Sequence, residues 1–397
     1  MHAIKLLHTH LRFACPSIHQ YRLNALMDAT RTLSDDQHLS ITGIGRGIDN
    51  HTSAKHNIKR IDRLVGNRFL HTERFTIYQS LSNWLLKGQG MPIILIDWSD
   101  LTGDREHPLL RAAVPVGGRS LTIYEEVHSI DKQANHAVHK HFLSELKQII
   151  PRYCKPIIVT DAGFRGTWFK LVNQLQWHWV GRVRNRDLVQ CGSANHWHPC
   201  KDLYALASTS PKTLGQGWLS RSQPNAVIFH VIKKIKQGRI AKSKFGQPIR
   251  NARSNKIAKR EREPWLIVTS PSLRHLTAKQ AVCIYAKRMQ IEEGFRDIKS
   301  ERYGLGFTTN LSKTKNRLEN LLLLGMLALL IIWMTGMSAI QQKVQYRYQA
   351  NTLKTRRVLS CIFLGMQVMR RSPTIFSKAQ LLHAFSTLQQ ELNYAPA

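Results

Sequence analysis

Strand-length apolar runs that end on aspartate, a glycine-pair hairpin signal and helix-length stretches between them predict an α/β fold with a mixed sheet. The first run, PIILI over 92–96, is closed by Asp97, and the second, PIIVT over 156–160, by Asp161. Between them, 109–116 and 120–127 read as two strands joined through Gly117-Gly118, a pair suited to a tight hairpin turn. A helix is expected over 130–150, and WHWVGRVR at 177–184 supplies a further strand.

The flanking segments have different patterns. Residues 1–85 read as helical, and within them 39–67 predicts two helices around a Gly/Asn break. The second of these sets Lys55, His56, Lys59, Arg60 and Arg63 beside Ile58, Ile61 and Leu64. An apolar stripe backed by a basic face suits a helix lying along DNA, and equally a solvated basic helix. Residues 187–263 interrupt the α/β rhythm with strand-like pieces and then a run at 233–262 rich in Lys and Arg, with Glu261 as its single acid. This reads as a β-rich basic insertion. After WLIVT at 265–269 the rhythm resumes, with one long helix expected from Thr277, which forms a capping-box signature with Gln280. The stretch 321–340 carries no charge and is long enough to cross a bilayer, but a lone segment of this kind also suits the centre of a large α/β domain. A buried core helix is the preferred reading.

Charge narrows the function. Fifty-eight Lys and Arg against 25 Asp and Glu give a formal net charge of +33. Such an excess adds nothing to a core and costs self-repulsion, so a polyanionic partner, DNA above all, is expected. The six cysteines are scattered without a Cys-x-x-Cys, and the first residues lack an unbroken apolar stretch. Both argue against a disulfide-stapled secreted protein and for a cytoplasmic one.

Chemistry enters through carboxylates. Two aspartates after apolar strands, with a glutamate on a helix, form a hard-oxygen set suited to Mg²⁺ or Mn²⁺ and to phosphodiester chemistry. Asp100 competes with Asp97, which is preferred because it directly follows PIILI. On the expected long helix, at about 100° per residue, Tyr285, Arg288, Glu292 and Lys299 share an arc of roughly 60°, beside an apolar arc containing Ile284, Ile291, Phe295 and Ile298. Glu293 falls further round and is the weaker candidate. Cys191, His196, His198 and Cys200 crowd borderline ligands into CGSANHWHPC, but the spacing matches no paired zinc pattern, and a polar loop is the preferred reading.

The segment YAKRMQIEEGFRDIK, with Tyr285, Arg288, Glu292 and Lys299, resembles the YREK signature of the insertion-sequence transposases of the IS-four family. LIDWSD around Asp97 and IIVTDAGF around Asp161 look like that family's two aspartate motifs. KHNIKRIDRLVGNRFLH is similar to the IS-ten subgroup, the branch of the tetracycline-resistance transposon. The resemblance spans about residues 10–370 and implies a ribonuclease-H-like catalytic core. In that core a β-rich insertion separates the second Asp from the Glu, and the Asp161–Glu292 interval is about twice that from Asp97 to Asp161. The implied layout is a helical DNA-binding domain at 1–85, the core at 86–186 and 264–340, the insertion at 187–263 and a helical region at 341–397. It also implies a cut-and-paste transposase, homodimeric in its synaptic complex. Asp97, Asp161 and Glu292 would hold Mg²⁺, with Mn²⁺ as a substitute, and Arg288 and Lys299 would grip phosphates. Tyr285 would offer a hydroxyl to the DNA backbone, and Trp265 would stack on an extruded base unless it is simply a core residue. Lys55, His56, Lys59, Arg60 and Arg63 would contact the terminal repeat. The rivals are a DNA-binding regulator and a related nuclease without strand transfer.

Overall fold

The computed structural model describes residues 2–184, 187–192, 196–234, 247–248, 263–353, 355–371 and 376–392. The chain forms two compact units, one of Met1–Cys154 with Met289–Tyr394 and one running from Lys155 to Arg288.

The first unit opens with five helices, α1 (His2–Ala14), α2 (Gln20–Asp36), α3 (Ile41–Gly47), α4 (Ala54–Val65) and α5 (Arg68–Leu85). Side chains set two of the starts, because Ser40 accepts from the Gly43 amide and Asn67 from the amides of Phe69 and Leu70. The expected helix pair at 39–67 is therefore present as α3 and α4. An antiparallel meander follows, β1 (Ile93–Asp100), β2 (Pro108–Val116) and β3 (Arg119–Val127). Gly117 and Gly118 take φ of +52° and +81°, the left-handed pair a two-residue hairpin needs. The helix expected from Ile130 begins later. Residues Ile130–Lys132 form a single 3₁₀ turn, Ala134 takes a left-handed φ of 59°, and Asn135 caps α6 (His136–Ile149).

The second unit holds β4 (Ile157–Thr160), α7 (Gly166–Gln174), β5 (His178–Val183), β6 (Leu188–Cys191), β7 (His198–Pro199), β8 (Lys212–Leu219), β9 (Asn225–Ile232), β10 (Trp265–Thr269) and α8 (Ala278–Ala286). Its strands run β4-β5-β10-β9-β8-β6-β7, with β4 and β5 parallel and the other pairs antiparallel. The chain is thus mixed α/β, with the antiparallel meander and parallel pair that a ribonuclease-H-like core uses. Strands β6 to β9 come from 187–263, while most of the basic run at 233–262 lies outside the described residues.

Returning to the first unit, the chain forms α9 (Met289–Lys299), α10 (Lys315–Gln341), α11 (Cys361–Arg371) and α12 (Lys378–Glu391). The single long helix expected from Thr277 is two. The capping box at Thr277 is present, but amides of Lys287 and Arg288 bond three residues back, to Ile284 and Tyr285, and this tighter turn ends α8. The break coincides with the boundary between the units. Tyr285 and Arg288 therefore belong to one unit, Glu292 and Lys299 to the other, and one helical wheel does not align them.

Helix α10 contains the uncharged stretch, and its apolar window is entirely buried. It packs against α2, α5, β3, α11 and α12, so its apolar circumference is explained by neighbours on every side. Contact with α11 is close enough to require glycine. A Cβ on Gly336 would meet the Cys361 carbonyl at 2.0 Å, and one on Gly365 would meet the Ile332 carbonyl at 2.1 Å.

Candidate active site

In the first unit, β1 leaves the core at Asp97. Ile93 to Ile96 are buried and Asp97 to Ser99 half-buried. The strand does not end there, as its sequence suggested, but continues to Asp100, with Asp97 opposite Arg111 of β2. The Trp98 amide donates to Asp97 Oδ1 at 2.9 Å. Helix α9 packs on β1, β2 and β3 through Ile291, Phe295 and Ile298. That packing leaves Glu292 exposed in its first turn, where the helix dipole favours a carboxylate.

The neighbouring acids Glu293 and Asp100 face arginines. Glu293 pairs with Arg119, and with Arg296 at 2.7 Å. The Asp100 carboxylate faces Arg105 at 3.4 Å, and its carbonyl accepts from Lys299 Nζ at 2.7 Å. Lys299 also donates to Ser99 Oγ at 2.7 Å, which ties the end of α9 to the end of β1. Burial pushes the Lys299 pKa down to about 8, the Arg111 charge adds to this, and Asp100 opposes it.

Sequence reading missed Arg111. It is 1% exposed, its Nε donates to Glu125 Oε2 at 2.8 Å, and its guanidinium lies 4.7 Å from the Phe295 ring centre. Tyr78 donates to the same carboxylate at 3.1 Å. The available signal was one arginine inside the apolar strand PLLRAAVPV.

In the second unit, Asp161 directly follows β4, as expected, and its Oδ1 accepts from the Gly163 amide at 2.8 Å. Tyr285 is buried and meets the Trp265 ring edge-on at 5.0 Å. Burial raises the Tyr285 pKa. The Arg288 and Arg182 charges and a hydrogen bond with Arg288 oppose that rise, while the Asp161 charge adds to it. Trp265 is half-buried. Lys234 Nζ sits 3.6 Å from its ring centre and Arg182 Cζ 5.9 Å away. The indole is therefore both wedged against Tyr285 and bordered by cations. Arg182 belongs to no recognisable spacing in the sequence, and Lys234 entered only as part of the basic run at 233–262.

The basic face of α4 is present. Asn57, Ile61, Leu64 and Val65 point inward, while Lys55, His56, Lys59 and Arg63 are exposed and Arg60 is half-buried. With Tyr21 and Arg22 of α2 they line a cleft of about 610 Å³. Arg60 pairs with Asp28 at 2.6 Å, so its charge is partly compensated.

Two other groups bear on ion binding. Cys191, His196, His198 and Cys200 do not gather. His198 Nδ1 faces Asp202 at 3.5 Å, the two histidine rings are 5.8 Å apart, and Cys200 is fully buried. Asp104, Glu106 and His107, in the turn between β1 and β2, are the set whose ligand atoms all lie within 4.8 Å among the described residues.

A family model for the transposase DDE domain matches residues 88–331, more than half of the chain. The protein belongs to the DDE transposases, enzymes that act on DNA and use divalent metals. No curated protein matches the chain. In the first unit Asp97 emerges from the core on β1 and Glu292 is exposed on a helix packed against that strand; in the second, Asp161 stands at the end of β4. Each offers the hard carboxylate oxygen that such an ion takes.

Proposed function

We propose that the chain is a cut-and-paste transposase of the IS-four family, IS-ten subgroup, acting in the bacterial cytoplasm on its element's terminal inverted repeats. The observation that carries this reading is the first-unit arrangement of β1 and α9. One strand supplies Asp97, the helix packed on it supplies Glu292, and Lys299 of that helix is anchored two residues beyond Asp97.

Asp97, Asp161 and Glu292 would hold Mg²⁺, or Mn²⁺ in its place, which when bound polarises phosphodiester oxygens and favours the ionised form of an attacking hydroxyl or water. Lys299 and Arg288 supply cationic donors to phosphates beside the cleaved bond. The Tyr285 hydroxyl, held by Arg288, orients that guanidinium. Trp265 offers a π-face to an extruded base, with Lys234 and Arg182 positioned to neutralise the adjacent backbone. The exposed side chains of α4 grip the terminal repeat. Water frees a 3′-hydroxyl at the element end, and that hydroxyl attacks the opposite strand to close a hairpin. A second water reopens it, and the 3′-hydroxyl then joins target DNA, with two ends paired by a homodimer.

The test incubates the protein with duplexes ending in the element's terminal repeat, Mg²⁺ and a supercoiled target. Hairpin-ended and target-joined products are expected. Cleavage without joining would reduce the reading to a nuclease, and binding without cleavage to a regulator.

A further inference from the structure

A carboxylate and two imidazoles approach one another in the first unit, on β3, the residue after it and α6. Glu126 of β3 is 5% exposed and accepts from the Tyr124 hydroxyl at Oε1, 2.6 Å away. Its Oε2 is 2.9 Å from His128 Nε2, and Oε1 is 3.9 Å from Nε2 of His141 on α6. Glu126 and His128 are two residues apart at a strand end and so project to one side.

His128 is 9% exposed, yet its Nε2 is buried without a hydrogen bond of acceptable geometry, even at 2.9 Å from the carboxylate. The imidazole nitrogen and the carboxylate oxygen thus face each other from one side of the strand end, as two ligands of one cation do. Zinc takes imidazole nitrogen and carboxylate oxygen at about 2.0–2.2 Å, which puts neighbouring tetrahedral donors about 3.5 Å apart. The 2.9 Å and 3.9 Å separations bracket that distance.

His139 lies one residue before the Lys140–His141 step on α6 but has another task. Its Nε2 accepts from the Trp98 indole at 3.2 Å, and burial, with the charges of His136 and His128, pushes its pKa down to about 4, so it stays a neutral acceptor. The Trp98 ring also meets His128 edge-on at 5.5 Å.

We propose that Glu126, His128 and His141 form a binding site for zinc or a similar borderline divalent ion, separate from the three carboxylates assigned to catalysis. Imidazole ligands select such ions over Mg²⁺. The three donors do not all lie within 4.8 Å of one another, so loading requires His141, whose side chain is 63% exposed, to swing toward Glu126. The loaded site would pin α6 to the end of β3, with Trp98 between the site and Asp97 of β1.

Tag-free full-length protein, stripped with a chelator, is titrated with Co²⁺ and followed by its visible d–d absorption. One equivalent is expected to bind with tetrahedral intensity and without thiolate charge-transfer bands. His141→Asn, at an exposed position, should fold normally and weaken that binding by more than about tenfold. His128→Gln, checked by circular dichroism, should do the same, whereas Asp97→Asn should keep it. The proposal is overturned if the wild type gives no such spectrum, if His141→Asn binds as the wild type does, or if binding is lost in His107→Asn instead.

Discussion

Glu292 and Glu293 are adjacent carboxylates that differ in exposure. Glu293 is half-buried between Arg119 and Arg296, and Glu292 is exposed in the first turn of α9. If Asp97 and Glu292 hold the catalytic ion as proposed, Glu292→Gln and Asp97→Asn should each lower strand cleavage by about three orders of magnitude or more while leaving DNA binding intact. Glu293→Gln should retain cleavage and cost no more than about 1 kcal/mol of stability, because its ion pairs are partly solvated. Cleavage assays with these three proteins decide between the two glutamates. If Lys299 grips a phosphate as proposed, it adds a pH dependence. With its pKa pushed down to about 8, the ammonium is charged at neutral pH and loses its proton as pH rises through that value. Cleavage should therefore decline above about pH 8, and Lys299→Arg should move that decline upward, since a guanidinium stays charged. An unchanged alkaline limb in Lys299→Arg would remove Lys299 from phosphate contact.

At the level of elements, what could be read in the sequence depended on whether the signal was local. Strands β1, β4 and β10 are short apolar runs, and the hairpin between β2 and β3 is written in Gly117-Gly118. The end of α8 was not legible, because Lys287 and Arg288 are good helix formers and no Gly or Pro marks the break. The extension of β1 past Asp97 was hidden for a related reason: Trp98 to Asp100 pair with β2 outside the buried run. The strand's extension depends on a tertiary partner that a window of sequence does not contain. Glu319 shows how such partners tie elements together. From the first turns of α10 it bonds His71 at 2.7 Å, accepts from the Val127 amide at 2.9 Å and forms an ion pair with Arg74 at 2.8 Å, joining α5 and the end of β3. Burial opposes its ionisation, but His71, Arg74, Lys315 and the Val127 amide outweigh that and lower its pKa. A carboxylate with a depressed folded pKa stabilises above its unfolded pKa and loses that contribution as pH falls through the folded value. Glu319→Ala should cost about 3–5 kcal/mol at neutral pH by leaving Arg74 buried and unpaired, and the loss should shrink in acid. Denaturant titrations at neutral and acid pH measure both, and an equal loss at the two would exclude an ionised Glu319.

For the whole molecule, a net charge of +33 makes association with DNA a matter of counterion release as much as of contacts. The α4 face can be separated from that general attraction. Lys55, Lys59 and Arg63 are exposed along one cleft, while Arg60 already spends part of its charge on Asp28. If the cleft grips a duplex, Lys59→Ala and Arg63→Ala should each weaken binding and lower the slope of log affinity against log salt by about 0.9, the value for one phosphate contact on duplex DNA. Arg60→Ala should change the slope less, because removing it also frees Asp28. The comparison is made by salt titrations of terminal-repeat and unrelated duplexes. Loss of slope on both duplexes marks a backbone contact, and a greater loss of affinity on the repeat alone marks base readout. Slopes unchanged in Lys59→Ala and Arg63→Ala alike would leave α4 a solvated basic helix, and the charge that draws DNA would then have to lie elsewhere on the chain.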